Sequence, residues 1–286
     1  MKQVVIAGCG DIGTALAHRL RQRGWRVFGL RRDTSVLPEG VEPIAADLTC
    51  ADKPAQWPDK VDYLVYCPAA GKRDAQLYQQ LYVQGLEHVL AWTKENRRLP
   101  AHLLQVSSTG VYAQKEGEWV TENSPALAES ETGKILIQAE DAALRCGFPA
   151  SVVRLAGIYG PGRNRLIEQV RNGLCVPTEP PQYSNRIHRD DAVALLEHLL
   201  LEADKDELLA PCYLGVDDEP ASMHEVASWL AAQLGTSLLA EGSTPGRVGS
   251  KRCSNALARE SGWEPRYPSY REGYGEMLKS AEQGME

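Results

Sequence analysis

The chain has 286 residues, 43% hydrophobic and 24% charged, a composition typical of a globular protein with a substantial core. The formal net charge of -7 disfavours nucleic acid as a partner, because binding a phosphate backbone requires a basic face. No apolar run approaches the ~20 residues of a membrane helix, and no targeting segment is recognisable. We therefore expect a cytoplasmic protein without a membrane partner. The seven cysteines include no CxxC pair, which predicts neither a metal site nor a disulfide framework.

Residues 1–32 predict a strand, a helix and a second strand joined by a glycine-rich turn. The apolar run at residues 4–7 has strand length, and the run at residues 26–30 forms a second candidate strand. Between them, apolar side chains repeat on one face of a predicted helix. The turn before this helix has GxGxxG spacing, and its strand–helix context is typical of a dinucleotide site.

Each glycine of the turn has a separate physical role in this prediction. Gly8 forms the tight turn, Gly10 admits the pyrophosphate, and Gly13 lets the helix pack closely on the strand. The helix N-terminus offers N–H donors and the positive end of its dipole to the phosphates. The predicted cofactor residues here are Gly8, Gly10, Asp11, Ile12 and Gly13.

Two arginines, Arg31 and Arg32, follow the second strand. NAD sites of this kind place an acidic residue there, which binds the adenosine ribose hydroxyl. A carboxylate would repel a 2′-phosphate, whereas guanidinium groups bind phosphate bidentately. The arginines therefore predict NADP as the cofactor, with NAD as the alternative.

Strands and helices alternate through the next part of the chain. Further strands are predicted at residues 41–46, 63–66, 103–106 and 151–155, helices at 75–95 and 132–145, and a loop at 114–131. This alternation predicts an α/β fold with a Rossmann-type, doubly wound parallel sheet. Ligands of such sheets bind beyond the carboxyl ends of the strands. That rule adds as cofactor residues Asp47, Cys67, Pro68 and Ala69. Leu48, which follows Asp47 at the end of the same strand, is also predicted to belong to the cofactor site.

The pattern loosens beyond residue 160. We expect residues 1–160 to form the NAD(P)-binding domain and residues 161–286 a smaller, mixed substrate lobe, with one strand and helix returning to the sheet. The predicted helices of this part lie at residues 164–172, 190–202, 223–234 and 255–261, with short strands near Cys175 and Tyr213.

The chain resembles the extended short-chain dehydrogenase/reductases of the NAD-dependent epimerase/dehydratase family. The resemblance rests on the glycine turn, Asp47-Leu48, and the segments at residues 107–112, 154–162, 187–192 and 257–268. It implies a nicotinamide cofactor and a small polar substrate. It also implies that Asp47 meets the adenine, that residues 67–69 lie along the cofactor, and that Ser108 matches the catalytic Ser/Thr. The alternative for Ser108 is a hydroxyl that bonds its own backbone.

One departure from the family concerns its Tyr-x-x-x-Lys motif, because no tyrosine lies between Tyr112 and Tyr159. One alignment puts Ser130 and Lys134 at the two positions. The other, which we favour, matches Glu140 to a family glutamate and puts Thr132 and Leu136 there. A tyrosine pKa of about 10 can be lowered by a neighbouring ammonium, but leucine supplies no charge. The family's asparagine on the preceding helix is also replaced, by Tyr82.

The remaining candidate residues are those able to substitute in the chemistry. The catalytic candidates are Ser108, Tyr112 and Thr132, and the substrate candidates are Arg163, Asn164 and Arg186. Two functions stay open. The first is an atypical NAD(P)-dependent oxidoreductase, epimerase or dehydratase acting on an unidentified small polar molecule, as a monomer or homodimer. The second is a catalytically silent NAD(P)-binding sensor or partner subunit.

Overall fold

The computed structural model describes residues 1–239 and 249–283. The strands are β1 (Gln3–Ala7), β2 (Arg26–Arg31), β3 (Glu42–Ala45), β4 (Tyr63–Tyr66), β5 (His102–Ser108), β6 (Glu118–Val120), β7 (Ala150–Leu155), β8 (Gly157–Tyr159), β9 (Tyr183–Ser184), β10 (Arg186–His188), β11 (Cys212–Gly215), β12 (Ala221–Ser222) and β13 (Lys251–Cys253). The α-helices are α1 (Asp11–Gln22), α2 (Ala75–Tyr78), α3 (Gly85–Lys94), α4 (Glu131–Leu144), α5 (Arg165–Arg171), α6 (Arg189–Asp204), α7 (Met223–Gln233), α8 (Ala256–Glu260) and α9 (Tyr270–Gln283). No described helix is both long and apolar enough to cross a bilayer.

The chain divides into two compact units. Unit 1 comprises Met1–Val111, Ala126–Arg154 and Val193–Tyr213, and unit 2 comprises Tyr112–Pro125, Leu155–Ala192 and Leu214–Glu286. The expected domain boundary at residue 160 stays a prediction. The compact units follow other limits, since the segment Val193–Tyr213 lies in unit 1.

The central sheet has seven strands in the order β3-β2-β1-β4-β5-β7-β11. Strand β1 pairs in parallel with both β2 and β4, so Val4 lies opposite Val27 on one side and Tyr63 on the other. The strand order therefore reverses between β1 and β4, where doubly wound sheets bind their ligands. The predicted Rossmann-type parallel sheet is confirmed.

The core of unit 1 forms where α3 covers the sheet. Leu86 and Val89 of α3 are buried in one cluster with Val5, Leu64 and Leu103 of three neighbouring strands. The helix can do this because its apolar side chains recur three or four residues apart. Burying each such side chain contributes about 1.5–3 kcal/mol.

Unit 2 has a core made mainly of helices. Side chains from α5, α7 and α9 share one cluster, which includes Ile167, Val226, Leu230, Tyr270 and Tyr274. The helix α7 begins with a capping box, in which Ser222 and Glu225 each bond the other's backbone N–H. Short strand pairs complete the unit: β8 with β10, β9 with β12, and β6 with β13.

Three local predictions were wrong. No strand forms at Cys175, because its apolar neighbours Leu174 and Val176 are buried in the helical core instead. The loop predicted at residues 114–131 contains β6, which exists because it pairs with the distant β13. The single helix predicted at residues 75–95 is interrupted by a π-helical turn, Gln79–Gln84.

A buried histidine in β5 makes the stability of unit 1 depend on pH. His102 is 6% exposed, and its Nε2 lies 3.0 Å from Ser151 Oγ, which donates to the Ala210 carbonyl oxygen at 2.6 Å. Burial lowers the pKa of His102 to about 4. Since the unfolded chain takes up this proton near pH 6.5, the free energy of unfolding falls as the pH drops from about 6.5 to 4.

We expect this histidine to remove up to about 3 kcal/mol of stability across that pH range. Urea denaturation of the native protein and of His102→Gln at pH 4, 5, 6 and 7 measures the difference. The two stability curves should converge towards pH 4, and curves that stay parallel would contradict the assignment.

Candidate functional site

The turn between β1 and α1 lies at the carboxyl edge of the sheet, against the segment that follows β4. Gly8 has φ +83°, and a Cβ there would lie 2.6 Å from both the Cα and the N of Pro68. The backbone N–H groups of Gly8 and Cys9 donate to the Leu30 carbonyl oxygen at 3.1 and 2.9 Å. Both the left-handed conformation and the close approach of the chain therefore require glycine at position 8.

Gly13 and Gly10 differ in what surrounds them. A Cβ at Gly13 would lie 3.0 Å from Ile6 Cγ2 and 3.2 Å from Cys67 Sγ, so α1 packs directly on the sheet. At Gly10 the atom nearest to an added Cβ would be the Gly8 carbonyl oxygen, at 3.8 Å. Position 10 is therefore open on the side where a ligand would approach the backbone.

The first turn of α1 fits a pyrophosphate. Gly10 is its N-cap and supplies no side-chain hydrogen bond, while Asp11 is exposed and Ile12 half-buried at the helix start. Backbone N–H groups at a helix start lack intrahelical partners and favour anions. The open space at Gly10 and the absence of a side-chain cap on α1 are both what a bound dinucleotide requires.

Arg31 is held against this turn. Its Nη1 donates to the Cys9 carbonyl oxygen at 3.2 Å, whereas Arg32 is exposed. The acidic residue next in sequence, Asp33, uses Oδ1 to accept from the backbone N–H and the hydroxyl of Ser35, at 3.1 and 2.6 Å. These bonds lower the pKa of Asp33. The first carboxylate in sequence after β2 is thus engaged in a local turn, and the Arg31 guanidinium lies beside the glycines.

Asp47 and Leu48 follow β3 and are fixed by neighbouring groups. Asp47 Oδ1 accepts from the N–H and the hydroxyl of Thr49 at 3.0 and 2.8 Å, and these hydrogen bonds lower the pKa of the carboxyl group. Leu48 is buried, and its carbonyl accepts from His88 Nδ1 at 3.0 Å. Asp47 therefore stays ionised near neutral pH.

The segment after β4 runs past the glycine turn. Cys67 is buried, its Sγ donates to the Gly8 carbonyl oxygen at 3.5 Å, and burial raises its pKa. A buried thiol of this kind is chemically inert. Pro68 is half-buried and Ala69 exposed. These residues form a surface beside the turn rather than a reactive group.

Ser108 ends β5 and bonds to its own backbone. The Gly110 N–H donates to Ser108 Oγ at 3.1 Å, and the side chain is half-buried. This bond leaves the hydroxyl hydrogen available for a further acceptor. A role towards a substrate stays a prediction.

Helix α4 carries the positions of the missing Tyr-x-x-x-Lys motif. Ser130 is its N-cap and accepts from the Gly133 N–H at 3.2 Å. Thr132 is half-buried and Leu136 buried, whereas Lys134 is exposed. This burial pattern favours the alignment that pairs Thr132 with Leu136, since Lys134 lies on the solvent side. Neither alignment places an ammonium group on the buried face.

Tyr112 belongs to unit 2 and is packed there. It is 4% exposed, and its hydroxyl donates to the Thr121 carbonyl oxygen at 2.9 Å. The phenol thus holds the neighbouring loop, and its catalytic assignment stays a prediction.

The three substrate candidates lie in unit 2 in different environments. Arg163 and Asn164 are exposed just before α5, and Asn164 makes no side-chain cap. Arg186 is 3% exposed and donates through Nη2 to Ser184 Oγ at 2.6 Å. The residues are therefore not equivalent, because only Arg186 is part of a buried polar cluster.

A buried ion pair in unit 1 was not predicted from the sequence. Arg154 of β7 donates through Nε and Nη2 to Glu140 of α4, with Nη2–Oε2 at 2.6 Å, and the Ser107 hydroxyl donates to Glu140 Oε1 at 2.5 Å. All three residues are less than 10% exposed. The available signal was a glutamate among the apolar residues of a helix face, which requires a buried partner. The network fixes α4 against the carboxyl ends of β5 and β7.

Among residues 1–239 and 249–283, no group of three or more His, Cys, Asp or Glu side chains is arranged to hold a metal ion.

Comparison with known proteins agrees with this geometry. Residues 4–199 match the NAD dependent epimerase/dehydratase family. A solved structure from Methylobacillus flagellatus, provisionally named an NAD-dependent epimerase/dehydratase, is 34% identical with a TM-score of 0.81, covering 98% of this chain and 99% of that one.

Two curated proteins are also similar. Protein YeeZ of Escherichia coli (strain K12) is 29% identical over 221 residues, covering 72% of this chain and 75% of that protein. The 3-diazoavenalumate denitrifying reductase of a Streptomyces sp is 25% identical, covering 96% of this chain and 99% of that protein. Since the family match spans more than half of the chain, this protein belongs to the NAD dependent epimerase/dehydratase family.

Proposed function

We propose that the protein is an atypical NADP-dependent oxidoreductase that acts on a small polar substrate. The observation that carries this proposal is the Arg31 guanidinium, which lies 3.2 Å from the Cys9 carbonyl oxygen within the glycine turn. The nearby carboxylate of Asp33 is engaged by Ser35. A cation at the end of β2 can pair with the 2′-phosphate of NADP. NAD lacks this phosphate and would gain no ion pair there.

The residues that would hold the cofactor are those around the first helix. The turn from Gly8 to Gly13 would bind the pyrophosphate, Arg31 the 2′-phosphate, and Asp47 the adenine side. The bound nicotinamide supplies or accepts a hydride. Ser108, at the end of β5, would then position a substrate oxygen through its hydroxyl hydrogen.

The proton that accompanies the hydride needs another source. A threonine hydroxyl at position 132 is far less acidic than a phenol, and the buried Leu136 offers no charge to assist it. The similarity to a Streptomyces reductase over 96% of this chain supports reduction as the direction of the reaction.

We expect NADPH to bind more tightly than NADH by roughly tenfold or more, since one hydrogen-bonded ion pair contributes about 1.5–3 kcal/mol. Fluorescence titration of the purified protein with each dinucleotide measures both dissociation constants. Arg31→Asp should reverse the order, because its carboxylate repels the 2′-phosphate and accepts from the ribose hydroxyls.

A matched control for this charge change is Arg97→Asp, at an exposed arginine before the amino end of β5. It should leave the preference for NADPH unchanged. Equal affinities for the two dinucleotides in the native protein would contradict the assignment of Arg31.

The second candidate function, a silent NAD(P)-binding sensor or partner subunit, is favoured by one observation. The position aligned with the family lysine carries the buried Leu136. Tight dinucleotide binding, with no turnover of any ketone or nucleotide-sugar substrate, would support this second function.

A further inference from the structure

A π-helical turn, Gln79–Gln84, separates α2 from α3. The hydroxyl of Tyr66, a fully buried residue at the end of β4, donates to the Leu81 carbonyl oxygen inside this turn. A Cβ at Gly85 would lie 2.6 Å from the Tyr66 hydroxyl oxygen, so the phenol also requires glycine there. A side chain inserted into the helical hydrogen-bond ladder is a recognised cause of such a turn, and π turns are frequent at functional sites.

The turn directs Tyr82 towards the segment that follows β4. The Ala70 N–H donates to the Tyr82 hydroxyl oxygen at 3.4 Å, directly after the residues assigned to the cofactor. The Tyr82 ring is half-buried, and it packs in a cluster with Ile135 and Ala139 of α4. Its ring centroid lies 4.8 Å from that of Tyr78. Tyr82 thus lies between the segment after β4 and the helix that lacks the family tyrosine.

The same edge of the sheet carries Ser108. Strands β4 and β5 are parallel neighbours with Tyr66 opposite Gln105, so the segments after them leave the sheet side by side. A Cβ at Gly133 would lie 3.1 Å from the Gly110 carbonyl oxygen, so α4 begins against the turn after Ser108. The hydroxyls of Tyr82 and Ser108 therefore belong to segments that converge in unit 1.

We propose that Tyr82 is the proton donor for carbonyl reduction, taking the place of the missing family tyrosine. This inference rests on the proposed function. The carbonyl carbon receives a hydride from the reduced nicotinamide, its C=O π electrons pass to the oxygen, and that oxygen takes the phenolic proton of Tyr82. The phenolate then recovers a proton from water. The sum is carbonyl, NADPH and one proton going to alcohol and NADP⁺.

The environment of Tyr82 suits donation better than abstraction. Burial raises the pKa of this phenol and outweighs the hydrogen bond from the Ala70 N–H, which lowers it. The group stays neutral at pH 7 and can protonate an alkoxide, which is more basic than a phenolate. Alcohol oxidation would need the phenolate as a base, whereas the neutral phenol present near pH 7 is the form that reduction requires.

The test compares Tyr82→Phe with Tyr78→Phe, since each variant removes one hydroxyl and keeps an aromatic ring, one inside the π turn and the other at the end of α2 just before it. The probes are 9,10-phenanthrenequinone and pyridine-4-carbaldehyde, each with NADPH. We expect Tyr82→Phe to lower kcat by about 10²–10⁴-fold, with the dissociation constant for NADPH and the melting temperature unchanged. Tyr78→Phe should stay within about twofold of the native kcat, on the same scale.

A second measurement does not depend on turnover. In protein labelled at the tyrosine ζ-carbon with ¹³C, the resonance lost in Tyr82→Phe identifies this phenol. Saturating NADP⁺ should move its titration to lower pH, because the cationic nicotinamide ring favours a nearby phenolate. The Tyr78 resonance should move less.

Several results would overturn the inference. They are a native kcat in Tyr82→Phe, a loss of kcat confined to Ser108→Ala, a Tyr82 titration that ignores NADP⁺, or NADPH bound without reduction of either probe. The last result would leave the nucleotide assignment standing. Failure to bind either dinucleotide would overturn the proposed function as well.

Discussion

Gly10→Ala is expected to weaken dinucleotide binding by at least about 100-fold, or about 2.7 kcal/mol, while the protein stays folded. The φ of -87° at Gly10 does not require glycine, and a Cβ there meets nothing closer than 3.8 Å. The added methyl group occupies the space through which the pyrophosphate approaches the start of α1. Calorimetric titration with NADPH and NADH measures the loss.

Two other glycines provide controls for this result. Gly8→Ala should lower the melting temperature, because its φ of +83° and the 2.6 Å approach to Pro68 both exclude a Cβ. Gly71→Ala should change neither stability nor affinity, since a Cβ at Gly71 meets no atom within 4 Å. Native affinity in Gly10→Ala would show that the pyrophosphate lies elsewhere. Replacing Gly10 costs helix capping only about 1 kcal/mol.

Arg154→Met is expected to lower the free energy of unfolding by about 3–5 kcal/mol. The substitution leaves the Glu140 carboxylate 3% exposed, with the Ser107 hydroxyl as its remaining donor in this network. A buried charge that has lost its counterion is far more costly than the pair itself. Urea denaturation at pH 7 measures the change.

A double variant that removes both charges of the Arg154–Glu140 pair is the control for this result. Arg154→Met combined with Glu140→Leu should recover most of the lost stability, because no buried charge remains to be compensated. As a surface control, Arg271→Met breaks the exposed pair with Glu219 and should cost no more than about 1 kcal/mol. Losses that simply add in the double variant would contradict a coupled buried network.

Features carried by short stretches of sequence were predictable. The apolar run of β4 coincides with Tyr63–Tyr66, and the GxGxxG turn lies between β1 and α1 as expected. Pairings between distant segments were not. The three residues of β6 form a strand only because β13 lies beside them, and nothing local distinguishes them from a loop.

In the candidate site, too, features set by local sequence were predictable and features set by distant contacts were not. The position of Arg31 at the end of β2 could be inferred from the sequence, since it depends on one strand-to-loop junction. The π turn could not, because it depends on the buried Tyr66 hydroxyl reaching Leu81. From the sequence alone, Tyr82 could therefore be recognised only as a departure from the family asparagine. The partnership of Glu140 with Arg154 likewise required knowing that α4 packs beside β7.

A crystal structure of the protein grown with saturating NADPH tests the central claim most directly. We expect the pyrophosphate to contact the backbone of the turn from Gly8 to Gly13, with the Arg31 guanidinium at the 2′-phosphate. An empty turn at saturation, or a dinucleotide bound at another place on the chain, would contradict the account.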